Sequence, residues 1–336
     1  MTERTAIIER FLTAHGWAGA RRAPLAADAS FRRYERLTRD GETAVLMDAP
    51  PPKEDVRPFA RVDRLLLSLG LSAPRPIALD EAAGLLLLED FGDRTFTRML
   101  ADGAEEAPLY RLAVEVLIAL QGAFSESLAE ADALPPYDDA RLLDEAALFV
   151  DWYLPAVSGK ETSPAAREDY LETWRAVFPI ARAVPQSLVL RDYHVDNLMV
   201  LDRREGVAAC GLLDFQDAVI GPVTYDLVSL LEDARRDVGS EVAEESLRRY
   251  LEARTDLDRE AFEASYAVLG AQRNAKIIGI FTRLWRRDGK PGYLPHIARV
   301  WRLLESDLRH PALAAVRGCF DRLAPPDLRT VPEANS

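Results

Sequence analysis

The sequence predicts an α+β fold, with a smaller strand-rich N-terminal part and a larger, mostly helical C-terminal part. Three observations predict it. Before Gly92, short apolar runs alternate with turn residues, as in an antiparallel sheet. From Thr95 onward, apolar residues recur at helical spacing, as at Leu109, Leu112, Ala113, Val116 and Leu120. One strand-rich stretch, from Ser187 to Asp226, interrupts those helices and gathers the most polar loop of the chain. The 336 residues, 48% hydrophobic and 29% charged, suffice for two lobes and a sizeable core. A net charge of −13 argues against a nucleic-acid surface, which needs a basic stripe, and still allows local basic pockets. Two cysteines, Cys210 and Cys319, without metal spacing, lead us to expect a reduced, cytoplasmic setting. The start, MTERTAIIERFL, lacks the apolar core of a signal peptide, and no run approaches a membrane span, so no membrane partner is expected.

The elements follow in order. Residues 2–15 read as an amphipathic helix, with Ile7, Ile8, Phe11 and Leu12 on one face and Gly16 as its stop. Strands are predicted over 21–25 and 31–37. The connection between them, Ala26-Ala27-Asp28-Ala29-Ser30, is small enough for backbone and the Ser30 hydroxyl to approach a phosphate. Arg32 and Arg33 follow and, on a strand, point to opposite faces. A third strand covers 44–48. A helix over 54–69 turns Phe59, Val62, Leu65, Leu66 and Leu69 inward and stops at Gly70. Two further strands, 77–79 and 85–88, lead to Glu89-Asp90-Phe91-Gly92. Helices are predicted over 108–123, 142–157 and 164–182, then over 240–254, 258–281 and 292–308. The proline-rich tail after Leu323 is expected to fray.

Within the strand-rich stretch, a strand at 188–190 opens into the loop Arg191-Asp192-Tyr193-His194-Val195-Asp196-Asn197. A strand at 198–201, a charged turn at 202–206 and an apolar run at 207–213 end on Asp214-Phe215-Gln216-Asp217. Hairpin pairing brings Asp192, Asn197 and Asp214 to neighbouring strand ends. Two carboxylates and an amide suit phosphoryl transfer: one carboxylate orients a hydroxyl and takes its proton, while the amide and the second carboxylate hold Mg²⁺ against nucleotide phosphates. A lone aspartate at a strand end more often caps a turn; the spacing of the three tips the balance to catalysis. Asp226 precedes the apolar run 227–231 and suits an N-cap. Asp217 reads equally as support for the site or as a solvated turn. Helices 142–157 and 258–281 carry unusual polar content: Glu145, Trp152 and Tyr153 on the first, Gln272-Arg273-Asn274-Ala275-Lys276 on the second, then Arg283. The two aromatics read also as core, and Glu145 as an exposed helix face.

Arg191-Asp192 followed by Asn197 resembles the protein-kinase catalytic loop, R-D-x-x-x-x-N, and Asp214-Phe215-Gln216 stands where that fold has D-F-G. The continuation Ile220-Gly221-Pro222-Val223-Thr224-Tyr225-Asp226-Leu227 resembles the tail of the aminoglycoside phosphotransferase-like kinases. With DASFRRYERL near the start and QRNAKIIGIF near the end, the chain looks most like the anomeric N-acetylmuramate/N-acetylglucosamine kinases of bacterial cell-wall recycling. The resemblance implies a protein-kinase-like bilobal fold: a small antiparallel-sheet lobe over 1–91, a hinge at 89–93, a helical lobe over 94–325, and a frayed 326–336. It implies ATP and Mg²⁺ as cofactors. Asp192 is then catalytic, and Asn197 and Asp214 hold the metal. Backbone groups of Glu89 and Phe91 meet the adenine, and Ser30 with Arg32 or Arg33 meets the phosphates. Glu145, Trp152, Arg273, Asn274 and Lys276 bind the sugar; His194, Asp217 and Asp226 support the site. Two features depart from the kinase pattern. Met47 stands where a strand lysine is usual, and its glutamate partner on helix 54–69 is missing, so Arg32 or Arg33, steadied by Asp63, is expected to supply the charge. The implied product is a sugar 1-phosphate, made by a monomer acting on a small amino-sugar. Two alternatives stay open: an aminoglycoside or other small alcohol as acceptor, and a nucleotide-binding regulator without turnover.

Overall fold

The computed structural model describes residues 3–25, 32–125, 127–128 and 133–333. The chain divides into two compact units, Met1–Ala123 with Val195–Ala218, and Phe124–His194 with Val219–Ser336. No helix among the described residues is long and apolar enough to cross a membrane. Cys210 and Cys319 are free thiols, both buried.

The first unit is built on an antiparallel sheet of β1 (Arg21–Pro24), β2 (Arg33–Arg39), β3 (Glu42–Asp48), β4 (Pro76–Asp80) and β5 (Leu85–Glu89), in the order β1-β2-β3-β5-β4. Strand alternation sorts its side chains. Leu37, Ala44, Leu46, Leu85 and Leu87 pack with Ile8, Phe11 and Leu12 of α1 (Glu3–Ala14) and with Trp17. Met47, on the other face, is fully buried, in register with Tyr34 and Leu86. Helix α2 (Arg57–Ser68) buries Phe59, Val62, Leu65 and Leu66 as its periodicity predicts. After α3 (Phe96–Ala101) and α4 (Glu106–Ala123) the chain leaves this unit. It returns with a two-stranded ribbon, β7 (Leu198–Val200) and β8 (Cys210–Leu212). Ser72 ties that ribbon down. Its carbonyl accepts from the Leu212 amide (2.8 Å) and its hydroxyl donates to the Ala208 carbonyl (2.6 Å).

The second unit holds α5 (Asp139–Leu148), α6 (Leu154–Ser158), α7 (Pro164–Ala181), α8 (Tyr225–Leu231), α9 (Ser240–Ala253), α10 (Arg259–Asp288), α11 (Ile297–Asp307) and α12 (Ala314–Leu323). Asp138, Ser163 and Asp258 cap α5, α7 and α10, each accepting the amide three residues on. The predicted helix 142–157 is interrupted by a π-turn, Phe149–Tyr153, between α5 and α6. Gly279 of α10 lies against its start: a Cβ there would fall 2.3 Å from the Leu148 carbonyl carbon. The expected frayed tail is instead anchored through residue 330. The Tyr153 hydroxyl accepts from Trp301 Nε1 (2.8 Å) and the Thr330 amide (3.0 Å), and donates to the Leu328 carbonyl (2.7 Å). Arg329 lies over the Trp301 ring and pairs with Glu305. Residues 334–336 lie outside the described residues. Strand β6 (Gln186–Val189) pairs with β9 (Val219–Pro222), not with the hairpin that follows it in sequence, which corrects the expected pairing.

Candidate active site

The loop after β6 is held at one residue from several sides. Arg191 has a left-handed backbone (φ 70°), uncommon for a residue with a side chain and costly unless its surroundings impose it. They do. Buried Asp226 accepts the Leu190 amide (2.6 Å) and the Arg191 amide (2.9 Å) through its two oxygens. The Ser229 hydroxyl donates to the Arg191 carbonyl (3.2 Å) and receives Arg273 Nη2 (2.8 Å). Asp226 is therefore no N-cap, as the sequence led us to expect; Thr224 takes that position and Asp226 lies inside the first turn of α8. Burial pushes its carboxyl up to about 7, against the two amides. Asp192, next in the chain, is exposed. His194, in the same loop, is buried.

The Arg191 side chain ends on a buried carboxylate. Its Nη2 pairs with Glu145 Oε1, and Lys276 Nζ stands 3.1 Å from the same oxygen. Tyr137 donates to Glu145 Oε2 (2.5 Å), and Lys276 also reaches the Tyr225 hydroxyl (3.2 Å). Burial alone would raise the Glu145 carboxyl; Lys276 and Arg191 outweigh it and hold the group below the usual range. Glu145, Lys276, Arg191 and Asp192 thus share one neighbourhood, and Asp192 raises the basicity of both cations. One carboxylate facing two cations leaves positive charge beside Asp192.

In the first unit, Asn197 closes a 3₁₀ turn and enters β7, while Asp214 follows β8. Leu198 pairs with Leu212 and the Leu213 amide donates to the Asn197 carbonyl (2.9 Å), so Asn197 and Asp214 stand at one end of the ribbon, both half-buried. Asp214 is also left-handed (φ 56°), and Gln216 donates to its Oδ1 (2.8 Å). Phe215 packs on Phe59 of α2, with ring centres 4.8 Å apart. Asp217 is exposed.

Residues expected to meet a nucleotide are placed unevenly. Ser30 lies outside the described residues. Arg33 is exposed; Arg32 is half-buried, its Nε 3.6 Å from Glu54 rather than beside Asp63, which corrects the expected steadying group. The Glu89 amide donates to the Arg75 carbonyl (2.9 Å). Its carboxylate pairs with Arg204, which lies 5.2 Å from the Phe91 ring centre. Sequence reasoning missed two supports here. Arg36 binds Asp90 (2.8 Å), Asp93 (2.8 Å) and the Gly92 carbonyl (2.9 Å), fixing residues 90–93. Gly211 leaves room for Phe91, whose ring would sit 2.8 Å from a Cβ at that position.

Asp63 is the other surprise. It is fully buried on α2 and neither oxygen has a hydrogen-bond partner among the described residues. Burial pushes its carboxyl up to about 7. The folded state therefore keeps a proton that the unfolded chain, near 3.8, releases. The stabilising contribution is full below about pH 4 and is lost as pH rises through 7, by at most about 4 kcal/mol. Urea unfolding at pH 5 and pH 8 is expected to show this loss in the wild type and a smaller one in Asp63→Asn. Equal losses in both proteins would remove Asp63 as its source.

Two expected sugar ligands turn inward. Arg273 donates to the Ser229 hydroxyl and the Glu232 carbonyl (3.2 Å); Asn274 donates to Glu232 Oε2 (2.7 Å) and Asp307 Oδ2 (2.9 Å). From Ala267 to Ala275 helix α10 is buried on all sides, so its polar groups take protein partners and Arg273 and Asn274 are not open to a ligand. Burial raises both Glu232 and Asp307, and the Glu232 charge raises Asp307 further. Trp152 is half-buried on the π-turn.

Comparison with known proteins agrees with this picture. A family model described as "Phosphotransferase enzyme family" matches residues 21–262. An N-acetylmuramate/N-acetylglucosamine kinase of Caulobacter vibrioides is 39% identical over 98% of this chain and 99% of its own length. A protein of the same name from Pseudomonas aeruginosa is 38% identical over 91% of this chain and 90% of its own. The solved GDP complex of aminoglycoside 2'-phosphotransferase-IIIa shares the fold, with a TM-score of 0.59 at 16% identity over 91% of this chain and 98% of that one.

Proposed function

This chain belongs to the phosphotransferase enzyme family, and we propose that within it the protein is an ATP-dependent kinase phosphorylating the anomeric (C1) hydroxyl of N-acetylmuramate and N-acetylglucosamine. The products are sugar 1-phosphates for peptidoglycan recycling. The names of the relatives that match nearly the whole chain supply the acceptors. The observation in this chain that carries the reading is the exposed carboxylate of Asp192, set directly after a residue clamped through its amide, its carbonyl and its side chain.

In this reading Asp192 orients the C1 hydroxyl and takes its proton as the oxygen bonds to the terminal phosphorus of ATP and ADP leaves. A hemiacetal hydroxyl is more acidic than an ordinary alcohol, so an ionised aspartate suffices as base. Positioning and charge neutralisation lower most of the barrier. Asn197 and Asp214 offer the hard oxygen donors that Mg²⁺ takes, and the ion would neutralise phosphate charge. Arg32 or Arg33 contacts the phosphates in place of the absent lysine, and the backbone of Phe91 meets the adenine. Lys276 and Trp152 face the acceptor, and Glu145 holds Lys276 in place. The surplus cation at Glu145 favours an anionic sugar acid and repels a polycationic aminoglycoside.

An ADP-release assay with Mg²⁺-ATP against amino-sugars, aminoglycosides and small alcohols tests the assignment. Turnover is expected with N-acetylmuramate and N-acetylglucosamine, and a phosphorus–proton coupling on the anomeric proton of the product. Preference for an aminoglycoside, or phosphate on another carbon, would overturn it.

A further inference from the structure

Helices α5 and α10 run side by side and in the same direction, touching once per turn. Gln272 Nε2 donates to the Leu142 carbonyl (3.0 Å), Lys276 pairs with Glu145 (3.1 Å), and Gly279 abuts the Leu148 backbone. Carried one turn further, the same register sets Arg283 of α10 opposite the part of the π-turn that bears Trp152. Its neighbour Asp151 points elsewhere, to Arg167 (2.8 Å). No hydrogen bond, ion pair or ring contact closes this rung among the described residues.

Arg283 is half-buried, and its Nε is buried without a hydrogen-bond partner. The acid that acts on it, Asp288, is already paired with Arg287 (2.8 Å). Burial and the Arg287 charge hold the guanidinium below the usual arginine range. The chain has 55 acidic residues for 42 basic ones, so carboxylates are not scarce. Several part-buried arginines of this unit have them: Arg191 has Glu145, Arg299 has Asp237, and Arg329 has Glu305. Leaving a part-buried cation unpaired destabilises a fold, and such a group is kept where a ligand completes it.

We propose that Arg283, with the Trp152 ring beside it, is the subsite that takes the carboxylate of a sugar-acid acceptor. The proposal rests on the sugar-kinase reading and names the residue that distinguishes an acidic sugar from a neutral one. A guanidinium accepts a carboxylate in two parallel hydrogen bonds, and an indole face suits the C–H face of a pyranose. Arg283 lies two turns, about 10 Å, along α10 from Lys276. Lys276 shares Glu145 with Arg191, the residue before Asp192. A pyranose carrying a three-carbon acid arm can span the two once both long side chains reach inward.

The test compares wild type with Arg283→Gln on N-acetylmuramate, on its lactyl amide and on N-acetylglucosamine. The variant is expected to lose about 30-fold in kcat/KM for N-acetylmuramate, with the neutral amide and N-acetylglucosamine changed less than about twofold. Because the lost charge was unpaired, the Tm of Arg283→Gln should equal or exceed that of wild type; a structural arginine would lower it. Equal losses on all three sugars, or none on any, refute the subsite and leave the kinase reading standing. If wild type turns over none of the sugars, the kinase reading fails and calorimetric titration with N-acetylmuramate decides the subsite. Weaker binding to Arg283→Gln then supports it, and unchanged binding overturns it.

Discussion

Asp192→Asn is expected to lower kcat with N-acetylglucosamine by about 10³-fold, leaving KM for ATP and the Tm close to wild type. General-base groups contribute about 10²–10⁴-fold in rate. Asparagine keeps the shape of the side chain and can still orient a hydroxyl, but it cannot take the proton. The substitution should not disturb the loop. Its fixed points are the Arg191 amide on Asp226, the Arg191 carbonyl on Ser229 and the guanidinium on Glu145, and none involves the Asp192 carboxylate. An ADP-release assay, a thermal melt and ATP binding by fluorescence decide the matter together. Retention of a tenth of the wild-type kcat would remove Asp192 as the base. Loss of Tm along with kcat would make it a structural residue.

The second large effect is structural. Gly279→Ala is expected to lower stability by about 3 kcal/mol, at the upper end of what overpacking a core does. The added methyl would lie 2.3 Å from the carbonyl carbon of Leu148, 2.4 Å from its oxygen and 2.7 Å from its Cβ. Two of those three atoms are backbone and cannot swing aside, so α5 must move off α10. For a unit of this size the Tm should fall by about 8 °C. Gly122→Ala is the control. It too is helical, and a Cβ there meets nothing within 4 Å. That change should leave the Tm level or raise it. Similar losses in both variants would show that the close approach at Leu148 is not the cause.

Much of this molecule is legible from its sequence. The strands of the first sheet follow from short alternating runs, and the inward face of α2 follows from the spacing of Phe59, Val62 and Leu66. Asn197 and Asp214 do stand at one end of a hairpin ribbon. What escaped has physical reasons. The partner of β6 lies across the intervening hairpin, and hydrophobic periodicity says nothing about partners that distant. The π-turn adds a single residue to a helix, a change too small for a pattern read over several turns. Arg273 and Asn274 looked like a ligand-binding pair because the run is polar. Their partners Ser229, Glu232 and Asp307 come from other parts of the chain, and only the fold shows that the pair is already occupied. Asp63 broke the expectation most clearly. A buried carboxyl without a hydrogen-bond partner among the described residues contradicts every rule of composition, so no sequence pattern points to it.

The interleaving of the two units has an evolutionary consequence. The chain leaves its first unit after Ala123, returns for Val195–Ala218, and leaves again. A single recombination crossover between relatives near residue 123 would therefore pair the sheet of one parent with the ribbon of the other, across the Ser72–Leu212 and Ser72–Ala208 bonds. Exchanging only the second unit takes three breakpoints, because the segment bearing Asn197 and Asp214 must be carried over with the sheet. New acceptor preferences should thus arise more readily by point changes along α5 and α10 than by swapping whole segments.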